Sequence, residues 1–237
     1  MSIADKTILI TGASRGIGRA LADEALRRGA RRVYAAARRP AAFADERVTP
    51  LTLDVTDAAQ VRAAAERVGS LDILVNNAGL ALYEGLGDRA TLERHLAVNL
   101  FGTYAMSEAF LPVLTRSGGA IVNNLSLNSL APLPVLAAYS VSKAAAFSLT
   151  QSLRTSLADR GVRVHAVLIG PTDTDMTRDL DIPKASPESV ARAIFDAVDR
   201  GEEDIFPDPV AQSLADGWRN GAVKAFERQL AALASVP

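Results

Sequence analysis

The chain pairs a tyrosine with a lysine four residues on, in Tyr139-Ser140-Val141-Ser142-Lys143. On a helix, residues four apart share a face with Cβ atoms about 5–6 Å apart, so both side chains could act on one small molecule. A free phenol has a pKa of about 10 and is protonated at neutral pH. A nearby ammonium favours the phenolate and lowers that value, which would give an acid/base matched to neutral pH. Of the 4 tyrosines only Tyr139 has this partner: Tyr34 meets Arg38, Tyr83 meets Gly87 and Tyr104 meets Glu108. Alone, the pair reads equally well as an accident on a helix surface. Ser126, upstream at the end of an apolar run, adds a hydroxyl able to hydrogen-bond a substrate oxygen, although a serine there also serves as an ordinary turn residue.

A second constellation lies near the N-terminus. The apolar, β-branched run Thr7–Thr11 leads directly into Thr11-Gly12-Ala13-Ser14-Arg15-Gly16-Ile17-Gly18, and helical spacing follows. Glycines at such a turn let backbone approach a pyrophosphate with no Cβ in the way. The helix behind them offers its N-terminal N–H groups and the positive end of its dipole. A glycine-rich turn without a ligand is the plainer reading, and the place between a strand and a helix favours dinucleotide binding over it. The ribose is expected at the end of the second strand, where a carboxylate would hold a 2′-hydroxyl and a cation a 2′-phosphate. Here the chain reads Ala35-Ala36-Ala37-Arg38-Arg39 with no acid. Two guanidiniums, Arg38 and Arg15, could grip one phosphate with charge-assisted bonds. NADP(H) is therefore favoured over NAD(H), against the alternative that both arginines are simply solvated.

The spacing Gly-x-x-x-Gly-x-Gly resembles the glycine loop of the short-chain dehydrogenase/reductase family. Gly12, Asn76, Asn99, Ser126, Tyr139 and Lys143 fall in that family's order, and the resemblance covers nearly the whole chain, weakest after about Asp179. It implies an NADP(H)-dependent oxidoreductase interconverting a ketone or aldehyde and an alcohol. Ser126 would polarise the carbonyl and Tyr139 would transfer the proton. Lys143 would hold the nicotinamide ribose and acidify the tyrosine, and Asn99 would hold a water linking Lys143 to solvent. The cofactor would meet Gly12, Ser14, Arg15, Gly16, Ile17 and Gly18, then Arg38, with Ala37 at the NAD-selecting position. Asp54 and Val55 would lie at the adenine. Asn76, Ala78 and Gly79 would support the adenosine and ribose side, and Pro171, Thr172 and Thr174 would meet the carboxamide, beside Tyr139 and Lys143. Ile169 stands where the family usually has proline, and Asn124 and Leu125 stand where small hydroxyl or apolar residues are commoner. Leu127, Asn128, Pro134, Met176 and the segment towards Pro183 are expected around the substrate. A non-catalytic dinucleotide sensor, or an epimerase or dehydratase on the same fold, are the rival readings.

Such a site needs a rigid frame. Strands are expected over Arg32–Ala37, Val48–Val55, Leu71–Asn76, Ala120–Leu125, Val162–Leu168 and Asp204–Phe206, after the first at Thr7–Thr11. Helices are expected over Gly16–Arg28, stopped by Gly29, and over Thr56–Val68, capped by Thr56 or Asp57. Others follow over Thr91–Leu114, Tyr139–Arg160, Pro187–Arg200 and Val210–Ala234. Gly85 and Gly87 mark a loop, and the polar stretch from Pro171 to Pro187 is expected to be mobile. Regular alternation predicts an α/β fold: a doubly wound, Rossmann-like parallel sheet of about seven strands with helices on both faces, in one domain over 1–237.

Composition narrows the alternatives. The 237 residues, 49% hydrophobic, suffice for one sizeable core. A net charge of −1 offers no basic excess for nucleic acid. The absence of cysteine excludes disulfides, thiolate metal sites and cysteine nucleophiles. His95 and His165 lie in predicted elements without metal-ligand spacing and read as structural, so no metal is expected; Trp218 reads as packing. With no apolar window long enough to span a bilayer and no signal-like N-terminus, a cytoplasmic protein is expected. The family resemblance implies a homodimer or homotetramer, through the helices from Thr91 and Tyr139.

Overall fold

The computed structural model describes residues 1–84 and 86–233. Among them, seven strands form one parallel sheet in the order β3-β2-β1-β4-β5-β6-β7. The strands are β1 (Thr7–Thr11), β2 (Arg32–Ala37), β3 (Val48–Thr52), β4 (Ile73–Asn76), β5 (Ala120–Asn124), β6 (Arg163–Val167) and β7 (Asp204–Ile205). The helices are α1 (Gly16–Arg27), α2 (Ala58–Val68), α3 (Arg89–Leu96), α4 (Thr103–Ser117), α5 (Ala137–Leu157), α6 (Pro187–Arg200), α7 (Pro209–Arg219) and α8 (Ala222–Leu233). The strand order reverses between β1 and β4, and ligands of open α/β sheets bind at that crevice.

Alternation within β1 shows why the sheet is covered twice. Ile8 and Ile10 pack with α1 and α6 through Leu21, Ile194 and Phe195. Leu9 faces the other way, with Val61 of α2 and Met106 and Phe110 of α4. A parallel sheet buried on both faces needs such near-continuous apolar strands. α5 and α7 complete the second layer near β6, where the tilted rings of Phe147 and Trp218 pack at 5.6 Å between centroids. Trp218 Nε1 also donates to Asp204 at 2.8 Å, so this residue packs the helix layer.

Several boundaries move. The predicted helix Thr91–Leu114 is three pieces: α3, a wider π-helical turn over Ala97–Gly102, and α4. Gly102 abuts Val55 so closely that a Cβ there would lie 2.6 Å from Val55 Cγ2, while Asn99 is pulled towards Leu80 by its side chain. The π-turn absorbs both demands. Strand β3 stops at Thr52, because Asp54 turns the chain by accepting from Thr56 N and its hydroxyl. Asp57, not Thr56, caps α2. β4 begins only at Ile73, and β5, β6 and β7 end at Asn124, Val167 and Ile205, each short of its expected bound. α5 starts at Ala137, after a 3-10 turn opened by Pro134, and ends at Leu157, with Ala158–Arg160 tightening into another 3-10 turn. The expected helix Val210–Ala234 breaks at Asn220 and Gly221 into α7 and α8. Gly85 and Ala234 lie outside the described residues. The segment after Pro171 has its own structure: Thr172 bridges Ala185, and Asp175–Thr177 forms a 3-10 turn closed by a Thr174–Thr177 capping box.

Candidate active site

The sheet's C-terminal edge gathers the predicted residues. The glycine loop leaves β1 with Gly12 at φ +67° and Gly16 at φ +55°, the left-handed region that glycine tolerates. A Cβ on Gly18 would lie 2.3 Å from Gly12 O and 2.5 Å from Asn77 Nδ2. Asn77 locks this loop to β4: its side chain donates to Thr11 O at 2.8 Å, and Thr11 Oγ1 accepts from Asn77 N and Ala78 N. Helices α2, α3, α6 and α7 have side-chain caps, whereas the first turn of α1 behind Arg15 has none. Uncapped N–H groups behind Arg15 and the three glycines of the loop fit a dinucleotide pyrophosphate.

The remaining cofactor candidates spread along the same edge. Ser14, Ile17 and Ala78 are half-buried in or beside the loop. Arg38 is exposed just past β2. Asp54 is half-buried and Val55 buried, at the mouth between β3 and α2. Thr174 reaches over the glycine loop, since a Cβ on Gly16 would meet its Cγ2 at 3.2 Å. Thr172 is buried, its hydroxyl donating to Gly170 O at 3.3 Å, with Pro171 half-buried beside it. Asn76 points elsewhere than the adenosine side: its amide is buried and donates to Ser107 Oγ at 3.1 Å and Asn123 Oδ1 at 2.9 Å, under α4. The asparagine beside the loop is Asn77.

Tyr139 and Lys143 occupy the first turns of α5 and are 8% and 6% exposed. Lys143 Nζ is 5.7 Å from the Tyr139 ring centroid and donates to Asn124 O at 2.8 Å. Ser126 follows β5 in extended conformation (φ −157°), and its hydroxyl accepts from Asn128 N at 3.1 Å. Burial pushes the Tyr139 phenol up to about 12; the Ser126 hydroxyl beside it pulls down, and the Tyr83 phenol adds to the rise. Burial likewise brings the Lys143 ammonium down to about 8. Desolvation is the largest cause of the Tyr139 rise, and the Lys143 ammonium is turned to the Asn124 carbonyl oxygen.

Asn99 is 1% exposed, with both side-chain N–H donors engaged. It donates to Leu80 O at 2.9 Å and Ser142 Oγ at 2.8 Å, and accepts from Leu80 N at 2.8 Å. Ser142 in turn donates to Tyr139 O at 2.7 Å, so Asn99 braces the first turn of α5. A Cβ on Gly79 would lie 3.5 Å from Asn99 Oδ1 and 3.8 Å from Lys143 Nζ, which leaves a bare wall there. His95 is buried, with Nε2 accepting from Leu82 N at 3.1 Å and Nδ1 2.8 Å from Thr91 O, a structural placement.

Sequence reasoning passed over four residues. Asn77, Ser142 and Asp208 brace the site, and Tyr83 donates from its hydroxyl to Met176 O at 3.0 Å across the mouth. Asp208 accepts from Gly170 N at 2.7 Å and Ala211 N at 2.9 Å, fixing the strand end before Pro171 while capping α7. Only Asp208 carried a local signal, an aspartate before Pro209 at a helix start.

A family model described as short chain dehydrogenase matches residues 6–184. A 2-(S)-hydroxypropyl-CoM dehydrogenase 3 of Xanthobacter autotrophicus is 38% identical over 208 residues, 81% of this chain and 82% of that protein. A short chain dehydrogenase from Burkholderia cenocepacia, solved in complex with NADP, superposes with a TM-score of 0.89 at 37% identity, covering 100% of both chains. A 3-ketoacyl-(acyl-carrier-protein) reductase from Brucella melitensis, complexed with NADH, gives 0.77 at 26% identity over 89% of this chain and 93% of its own. The family match runs from β1 through the helix of Tyr139 to the turn after β6, and the chain accordingly belongs to the short-chain dehydrogenases, a family of oxidoreductases.

Proposed function

We propose that the protein is an NADP(H)-dependent carbonyl reductase, interconverting a ketone or aldehyde and an alcohol within one domain over residues 1–237. The observation that carries this reading is the neighbourhood of two hydroxyls, Ser126 and Tyr139, with Lys143 one turn along α5. The nicotinamide, when bound, supplies or accepts hydride at the carbonyl carbon. Ser126 donates a hydrogen bond to the carbonyl oxygen and polarises it. Tyr139 then protonates that oxygen as charge develops on it. The phenol carries its proton at neutral pH, the state that reduction requires. Lys143 holds the ribose hydroxyls and returns a proton to the phenolate. Asn99 and Ser142 keep α5 in register with Leu80 beneath it.

Arg15 and Arg38 favour NADP(H), with no acid at the end of β2 to hold a free 2′-hydroxyl. The NADP found with the Burkholderia cenocepacia relative supports that choice. The names of the ketoacyl reductase and the hydroxypropyl dehydrogenase support a carbonyl/alcohol pair as substrate. Exposed Phe101, Tyr104 and Val141, on the π-turn, α4 and α5, support a homodimer or homotetramer; a cytoplasmic location is part of the same proposal. The test is loss of NADPH absorbance with a panel of ketones: turnover with some of them is expected, and none with any carbonyl would refute the reading.

A further inference from the structure

The two arginines of the proposed phosphate cradle stand differently. Among the described residues, no carboxylate pairs with Arg38. Arg15 Nη1 is hydrogen-bonded to Asp175 Oδ2, while Arg178 takes the other oxygen of the same carboxylate. Asp175 opens the 3-10 turn Asp175–Thr177 after β6, so this contact ties that turn to the glycine loop. The turn is also held by the Tyr83 hydroxyl, which donates to Met176 O. A cleft of about 450 Å³ lies between Arg15, Arg19, Asp173, Asp175 and Arg178.

Resting on the reading that Arg15 and Arg38 receive the 2′-phosphate, we propose that Asp175 is a specificity-determining residue. Its carboxylate competes with the phosphate for Arg15, so NADPH, unlike NADH, detaches the turn Asp175–Thr177 from the glycine loop. A guanidinium has five N–H donors, but a phosphate dianion and a carboxylate on the same group repel each other. Arg178 stays on Asp175 after the exchange, so the released carboxylate keeps a cation. The side chains of Arg15 and Asp175 are 74% and 44% exposed, so water screens their pairing and the competition is modest. The geometry gives Asp175 a role the glycine loop alone lacks: it sets how strongly the enzyme distinguishes the two cofactors, and it carries that distinction to the substrate side through Met176 and Tyr83.

The test is equilibrium binding of NADPH and NADH to the full chain, read by nicotinamide fluorescence. Asp175→Asn is expected to tighten NADPH about two- to five-fold and leave NADH unchanged. The gain should vanish in Asp175→Asn/Arg15→Ala. An unchanged NADPH Kd, an equal shift for both cofactors, or a gain that survives removal of Arg15 would each overturn the role of Asp175 while leaving the cofactor reading intact. If Arg15→Ala and Arg38→Ala both bind NADPH like the wild type, the 2′-phosphate reading itself fails, and this proposal with it.

Discussion

The ammonium of Lys143 is turned towards the main-chain oxygen of Asn124, 2.8 Å away, and stands 5.7 Å from the ring centroid of Tyr139. Residue spacing on α5 predicts their shared face; the end of β5 decides where the charge points. The pair is thus a buried phenol beside a lysine anchored to a strand, and burial governs both protonation equilibria.

Arg38→Ala should weaken NADPH by roughly 10–100-fold, the worth of a charge-assisted hydrogen bond, while NADH binding changes little. Titration of both cofactors by calorimetry checks this. Equal losses for the two would show that Arg38 does not meet the 2′-phosphate.

Gly18→Ala should cost both stability and cofactor binding. Its Cβ would come within 2.3 Å of Gly12 O, a backbone atom that cannot swing aside. Overpacking of this kind costs about 1–3 kcal/mol. Thermal unfolding with and without NADPH should show a lower Tm and a smaller shift on adding cofactor; wild-type values for both would contradict the close packing.

His165 should contribute an acid-labile part of the stability. Burial holds its imidazole down to about 4, with Nδ1 2.6 Å from Glu202 O and Nε2 without a partner among the described residues. The unfolded chain titrates near 6.5 and binds more protons between these values. This contribution is therefore present above pH 6.5 and lost as pH falls through 4, up to roughly 3 kcal/mol. Urea unfolding of His165→Phe at pH 7 and pH 4.5 should show a smaller loss on acidification than the wild type; an identical loss would place the acid sensitivity elsewhere.

Asp208→Ala should loosen the strand end before Pro171 and uncap α7 together, since one carboxylate serves Gly170 N and Ala211 N. A destabilisation of about 1–3 kcal/mol is expected by chemical denaturation. A change under 0.5 kcal/mol on the scale of surface substitutions would contradict it.

Where local chemistry sets the conformation, the sequence is legible. β1 is marked by its apolar run, the glycine loop by glycines at positive φ, α6 by Ser186 capping before Pro187, and the site by the Tyr139–Lys143 spacing. Features that arise between distant segments are not. The π-turn at Ala97–Gly102 answers the packing of Gly102 on Val55 and the tether of Asn99 to Leu80, neither visible within the helix itself. Asn76 and Asn77 are indistinguishable in sequence, yet strand alternation sends one under α4 and the other to the glycine loop. The high Tyr139 pKa is equally nonlocal, because the surrounding fold supplies the desolvation. The loop expected to be mobile carries its own capping box and two tethers, through Asp175 and Tyr83, from segments far away in the chain.

The proton donor is tested most directly by Tyr139→Phe, which removes one hydroxyl and leaves the ring's packing in place. Reduction of the best ketone should fall by about 10²–10⁴-fold, with the NADPH Kd within a few-fold of wild type. Turnover within a few-fold of wild type would contradict Tyr139 as the acid.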